Sequence, residues 1–139
     1  MARAKLDAVA PRHPGKLVLA ADSVVAVGRR ILPKAESEVE ARRCLVLMSG
    51  RRHRVLGGLA VGYPDGRVRT RLVETVVRFR RLQAAEIETY VQGGEWQGKA
   101  GGYAIQGHAA AFVAFISGSY SNVVGLPLFE TVQLLKASS

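Results

Sequence analysis

Leu17-Val18-Leu19-Ala20-Ala21-Asp22-Ser23-Val24-Val25-Ala26-Val27 is an apolar run of strand length with a single carboxylate at its middle. A run that is apolar on both faces reads as a central strand covered on both sides. An ionised carboxylate in such a place is costly unless it is paired, hydrogen-bonded or bound to a cation. Asp22 is thus a satisfied core residue, the mark of a strand end, or a catalytic group. The rest of the chain decides among the three.

Upstream of this run, Ala2 to Ala10 reads as the end of a helix, broken by Pro11, Pro14 and Gly15. Downstream, Gly28 leads into a short extended piece, Arg30 to Leu32, and Pro33 opens a loop carrying Lys34. Ser37 and Glu40 form a capping-box pattern that starts a helix running to about Met48, ended by Ser49-Gly50. His53 to Tyr63 reads as a strand interrupted at Gly57-Gly58, and Pro64-Asp65-Gly66 as the turn of a hairpin. In the returning strand, Val68 to Phe79, the apolar side changes near Leu72-Val73. That change predicts a β-bulge or a strand passing from one covered surface to another. A short helix, Ala84 to Gln92, is stopped by Gly93-Gly94, a strand runs from Ala111 to Ile116, and Pro127 starts a closing helix to about Lys136. Helices interleaved with strands, together with a hairpin, predict one α/β domain over residues 1–139 with a mixed rather than purely parallel sheet.

A chain of 139 residues that is 48% apolar is long enough to bury a core. The one cysteine, Cys44, sits in a helical pattern as buried filler, and it points to a reducing, cytoplasmic compartment. No apolar run is long enough to span a bilayer. The net charge of +9 is carried largely by arginines in short groups, such as Arg29-Arg30, Arg51-Arg52 with Arg54, and Arg78 with Arg80-Arg81. Such a balance favours anionic partners, phosphorylated small molecules or nucleic acid. Aromatic residues make up only 6%, which poorly supports a base-stacking platform and makes nucleic acid an unlikely partner.

The glycine-rich segment Gly98-Lys99-Ala100-Gly101-Gly102-Tyr103-Ala104-Ile105-Gln106-Gly107 is neither a P-loop nor a dinucleotide-binding turn. Its glycines are turns or a binding loop. Lys99 can serve a phosphate as a point charge, and Gln106 can hydrogen-bond a nucleobase edge through donor and acceptor together. His13, His53 and His108 are scattered without metal-ligand spacing, and no Gly-x-Ser-x-Gly nucleophile turn is present.

Ala20 to Val25 (AADSVV), Ile31 to Lys34 (ILPK), Ser49 to Arg51 (SGR), KAGGYAIQG at 99–107 and GSYSNVVGLP at 118–127 together resemble the Maf family of nucleoside triphosphate pyrophosphatases, in order and spacing. The resemblance implies an inosine-triphosphatase-like α/β domain with a cleft. It implies hydrolysis of a nucleoside triphosphate, dTTP or UTP in the branch with the Ile105-Gln106-Gly107 form, to monophosphate and pyrophosphate with divalent magnesium or manganese. Asp22 matches the family's proton acceptor and is also a candidate metal ligand. Lys5 and Lys34 match its lysines, Gln106 its glutamine, and Ser23 stands where threonine is usual, at a position tied to substrate choice. A homodimer is implied as well. The family's first strand and Ser-x-Ser-Pro-Arg-Arg loop have no match here, so a weak or inactive enzyme is expected. The alternative is a nucleotide- or nucleic-acid-binding protein without catalysis.

Overall fold

The quoted run forms β1, Val18–Val27, in a computed structural model that describes residues 2–137. It lies in a five-stranded sheet of order β2-β1-β3-β4-β5, with β2 Arg30–Leu32, β3 Arg52–Gly62, β4 Val68–Phe79 and β5 Val113–Ser117. The expected α/β domain is present, and all the pairings of this sheet are antiparallel. One expectation about β1 needs correction. β2 pairs only with Val25 to Val27, so residues 18–24 have a partner on one side only, in β3. The apolar run is therefore half central strand and half open edge, and Asp22 lies in the open half.

Cross-strand partners share a face of the sheet, which gives it a front and a rear. The front carries Ser23 opposite Gly57, Val25 opposite Val55 and Thr75 opposite Val55 on the far side. There the main core forms against α2, Glu38–Met48, and α3, Ala84–Gly93. Ser37 caps α2 as its pattern predicts, its hydroxyl accepting the Glu40 N–H at 3.2 Å. Cys44 is buried in this core, and burial pushes its thiol pKa up. At the other end of the front face, α5, Leu128–Lys136, packs Leu134 onto Leu59 and Val61, and the Tyr63 hydroxyl donates to the Leu134 carbonyl at 2.6 Å. Pro127 caps this helix, one residue before its first turn.

The rear face holds α1, Ala2–Val9, whose Ala2 and Leu6 are buried against Ala20 and Ala60. Eight residues make a marginal helix alone, so the packing sustains it. Burial of Leu6 contributes about 1.5–3 kcal/mol.

Three further expectations change. β3 runs unbroken through Gly57-Gly58, and β4 pairs with it in continuous register across Leu72-Val73. There is no bulge at that point. Arg69 and Arg71 lie on the same face as Val73, Thr75, Val77 and Phe79, and the strand passes from an open surface to a covered one. The irregularity sits instead at Arg78/Phe79, where β5 joins. The strand expected from Ala111 begins at Val113, because His108–Phe112 wind into a 3-10 helix. A short helix at Tyr120–Val124, α4, has no counterpart among the sequence-based expectations. Among the described residues, no helix is long and apolar enough to cross a membrane.

Candidate active site

Burial of Leu6 fixes the rotation of α1, and its neighbour Lys5 reaches round the open edge of β1. The Lys5 ammonium donates to the Ala21 carbonyl at 3.1 Å and to Asp22 Oδ1 at 3.1 Å. The Asp22 side chain is only 8% exposed while that of Lys5 is 49% exposed. Burying a carboxylate this far from water is costly unless it is paired or hydrogen-bonded, and Lys5 does both. Its cross-strand partner Gly58 has no side chain and lets α1 approach the sheet: a Cβ there would lie 3.5 Å from that of Ala2.

Lys34 and Lys99 come to the same place by a backbone clasp. Ala35 N–H donates to the Lys99 carbonyl at 3.1 Å, Gly98 N–H to the Ala35 carbonyl at 2.9 Å, and Gly101 N–H to the Pro33 carbonyl at 3.0 Å. Gly101 holds φ at +69°, and a Cβ there would meet Val25 at 3.0 to 3.2 Å, so only glycine fits. The glycines of this segment therefore make turns, and those turns carry Lys99 into the lining of a cleft.

The opposite wall is α4 and the residue after it. Asn122 anchors it from within: its amide donates to the Val55 carbonyl at 3.1 Å, the Val73 carbonyl at 3.1 Å and Thr75 Oγ1 at 3.0 Å. Asn122 rests on Gly57, where a Cβ would fall 1.8 Å from its Oδ1. That Oδ1 is buried without a hydrogen-bond partner. Between these walls lies a cleft of about 240 Å³ lined by Lys5, Asp22, Ser23, Lys34, Lys99 and Tyr103, with Val123, Val124 and Gly125 closing it. Three lysines face one carboxylate, and Lys34 and Lys99 have no ion-pair partner among the described residues. The site attracts anions.

Of the residues expected from the sequence, Lys5, Asp22, Ser23, Lys34 and Lys99 are brought together. Gln106 is exposed and does not line the cleft. Tyr103 and the Val123 to Gly125 wall were not expected as site residues. The signal for the wall was present, in a Ser-Tyr-Ser-Asn run bracketed by Gly118 and Gly125.

Beneath the cleft, the Tyr103 hydroxyl and His53 Nε2 share a hydrogen bond of 2.6 Å, with Phe79 edge-on to both rings. His53 is 1% exposed, its Nδ1 has no partner, and burial pushes its pKa down to about 4. The unfolded chain takes up this proton below about pH 6.5 whereas the folded chain does not. Stability is therefore full above pH 6.5 and is lost as pH falls toward 4, by about 3 kcal/mol in all. Denaturant midpoints at about pH 7 and pH 4.5 are expected to differ much less in His53→Gln than in the parent. Equal differences would contradict the assignment.

The family model for Maf-like proteins matches residues 1–138. The chain belongs to the Maf family. Its similarity to curated Maf relatives is close: it is 65% identical to a dTTP/UTP pyrophosphatase of Paramagnetospirillum magneticum, over 97% of this chain and 71% of that protein. Proteins of the same name from Rhodospirillum rubrum and Novosphingobium aromaticivorans are 64% and 60% identical, over 97% and 99% of this Maf chain and 64% and 69% of theirs.

Proposed function

We propose that the cleft hydrolyses a nucleoside triphosphate, dTTP or UTP foremost, between its α and β phosphates. The observation that carries this is one nearly buried carboxylate, held by Lys5, in a three-lysine cleft. The high identity to proteins named dTTP/UTP pyrophosphatase supports the same reading.

Asp22 accepts a proton from the attacking water, whose oxygen bonds to the α phosphorus. The bridging oxygen departs with the β and γ phosphates as pyrophosphate, leaving the nucleoside monophosphate. Such a reaction needs charge neutralisation and a positioned water more than covalent chemistry. Lys34 and Lys99 supply the first, and Lys5 orients Asp22. The cleft is smaller than the about 300–1,000 Å³ of sites that enclose a whole small ligand. In this reading it takes the triphosphate, and the nucleoside lies outside it.

A divalent cation fits as a companion of the substrate. Asp22 is the one carboxylate in the lining, and magnesium is commonly bound by one or two carboxylates plus substrate phosphates. Asp22 would hold it, and it would supply further charge neutralisation. The free, buried Cys44 suits the cytoplasm.

Pyrophosphate release from dTTP and UTP, measured with magnesium, tests the proposal, and no release from either would overturn it. Lys34→Ala and Lys99→Ala are each expected to lower kcat/KM by about 10²-fold, the scale of losing one preorganised donor to a developing charge. Wild-type kinetics in both variants would remove the lysines from the site.

A further inference from the structure

Six arginines collect at the end of the sheet that α1 leaves uncovered, and hydrolysis in the cleft uses none of them. Arg52 and Arg78 are direct cross-strand partners, so two like charges stand side by side on the rear face. Such a pair destabilises a sheet. Arg54 lies on the same face two residues along β3. Arg29, Arg30 and Arg51 rim a concavity at the same end of the sheet but on its front side, where Val27 and Leu47 meet the main core. Among the described residues only Arg54 of these six has an ion pair, with Glu74 at 3.5 Å.

Apolar side chains stand open beside these charges. Phe115 pairs with Arg78 across β4 and β5 and is 44% exposed, with the Arg52 guanidinium 5.8 Å from its ring centroid. Ile31, opposite Ala26 on this face, is 68% exposed.

We infer that this rear face binds single-stranded nucleic acid, Arg52, Arg54 and Arg78 taking backbone phosphates while Phe115 offers a stacking plane to unpaired bases. Arginine-rich grooves with aromatic platforms are the chemistry of single-strand binding. Reading a duplex calls for an element that enters a groove, and this end of the sheet projects none. A second copy seated here about a two-fold axis would set arginines against the same arginines. The few aromatics of the sequence counted against nucleic acid. One of them, however, lies among the unpaired arginines.

Anisotropy of a fluorescein-labelled oligothymidylate of about 16 nucleotides, titrated with the chain from about 50 to 200 mM salt, tests this. Binding that weakens with salt is expected. The Arg52→Ala/Arg78→Ala double variant should lower the magnitude of the log–log salt slope by about 1.4, at about 0.7 for each phosphate of a single strand that is no longer neutralised. Its melting temperature should not fall, because a like-charge pair has been removed. Phe115→Ala should weaken binding about fivefold or more with the slope unchanged. Both variants should keep the parent's dTTP turnover. The inference is overturned by no binding at low salt, by a duplex of similar length binding as tightly, or by variants that bind like the parent. It is equally overturned if light scattering shows a dimer that Phe115→Ala converts to monomer.

Discussion

Asp22→Asn is expected to lower dTTP turnover by about 10²–10⁴-fold, the usual contribution of a positioned general base, with the fold intact. Asparagine keeps the shape of the side chain and can still accept the Lys5 hydrogen bond that Asp22 Oδ1 accepts at 3.1 Å. What it loses is the capacity to take a proton and the negative charge that a magnesium–triphosphate complex would meet. Steady-state pyrophosphate release together with a thermal melt separates the two effects. A variant that melts like the parent and turns over within a few-fold of it would show that Asp22 is a structural partner of Lys5. The buried position at a strand edge would then be explained by packing alone.

The second large effect concerns the far wall. Gly57→Ala would place a methyl group 1.8 Å from Asn122 Oδ1, and Asn122 is itself tied to two β-strand carbonyls and Thr75. Neither side can yield cheaply: β3 is held on both flanks, and moving Asn122 breaks its buried hydrogen bonds. Overpacking costs about 1–3 kcal/mol and broken buried hydrogen bonds add to it, so about 3–5 kcal/mol is expected. Displacing Asn122 also displaces Val123 and Val124 from the cleft, so KM should rise in whatever protein remains folded. The double variant Gly57→Ala/Asn122→Ala should be more stable than the sum of the single effects predicts, because the methyl then enters the space the amide leaves. Additive losses in urea denaturation would contradict the packing described.

Most of the elements were legible because they rest on local chemistry. The Ser37 cap, the Gly66 turn and the apolar spacing of α2 and α3 each act within a few residues. The strand carrying Asp22 was legible as a strand, but its open edge was not. Edge exposure depends on β2 being only three residues long, and that is a fact of pairing between segments. The supposed bulge in β4 failed for a related reason. The alternation of Arg69, Arg71, Val73 and Thr75 never changes phase; the covering layer changes along it. The interruption expected at Gly57-Gly58 failed because Gly57 is demanded by a side chain 65 positions later, Asn122, rather than by a turn. In the site, Lys5 and Lys34 were found through resemblance to a family pattern, whereas Asp22 and Lys99 stood out by their own chemistry. Their convergence came from the clasp between residues 33–35 and 98–101, which no local signal announces. Gln106, expected from its amide chemistry as well as from the resemblance, lies outside the enclosed cleft.

Phosphorus NMR of dTTP incubated with the chain and magnesium distinguishes cleavage between the α and β phosphates from attack on the terminal phosphorus. Thymidine monophosphate and pyrophosphate are expected as the first products, with neither formed by Asp22→Asn at a comparable rate. The appearance of thymidine diphosphate and inorganic phosphate would place the attack on the terminal phosphorus and contradict the proposed cleavage, as would dTTP that remains unchanged.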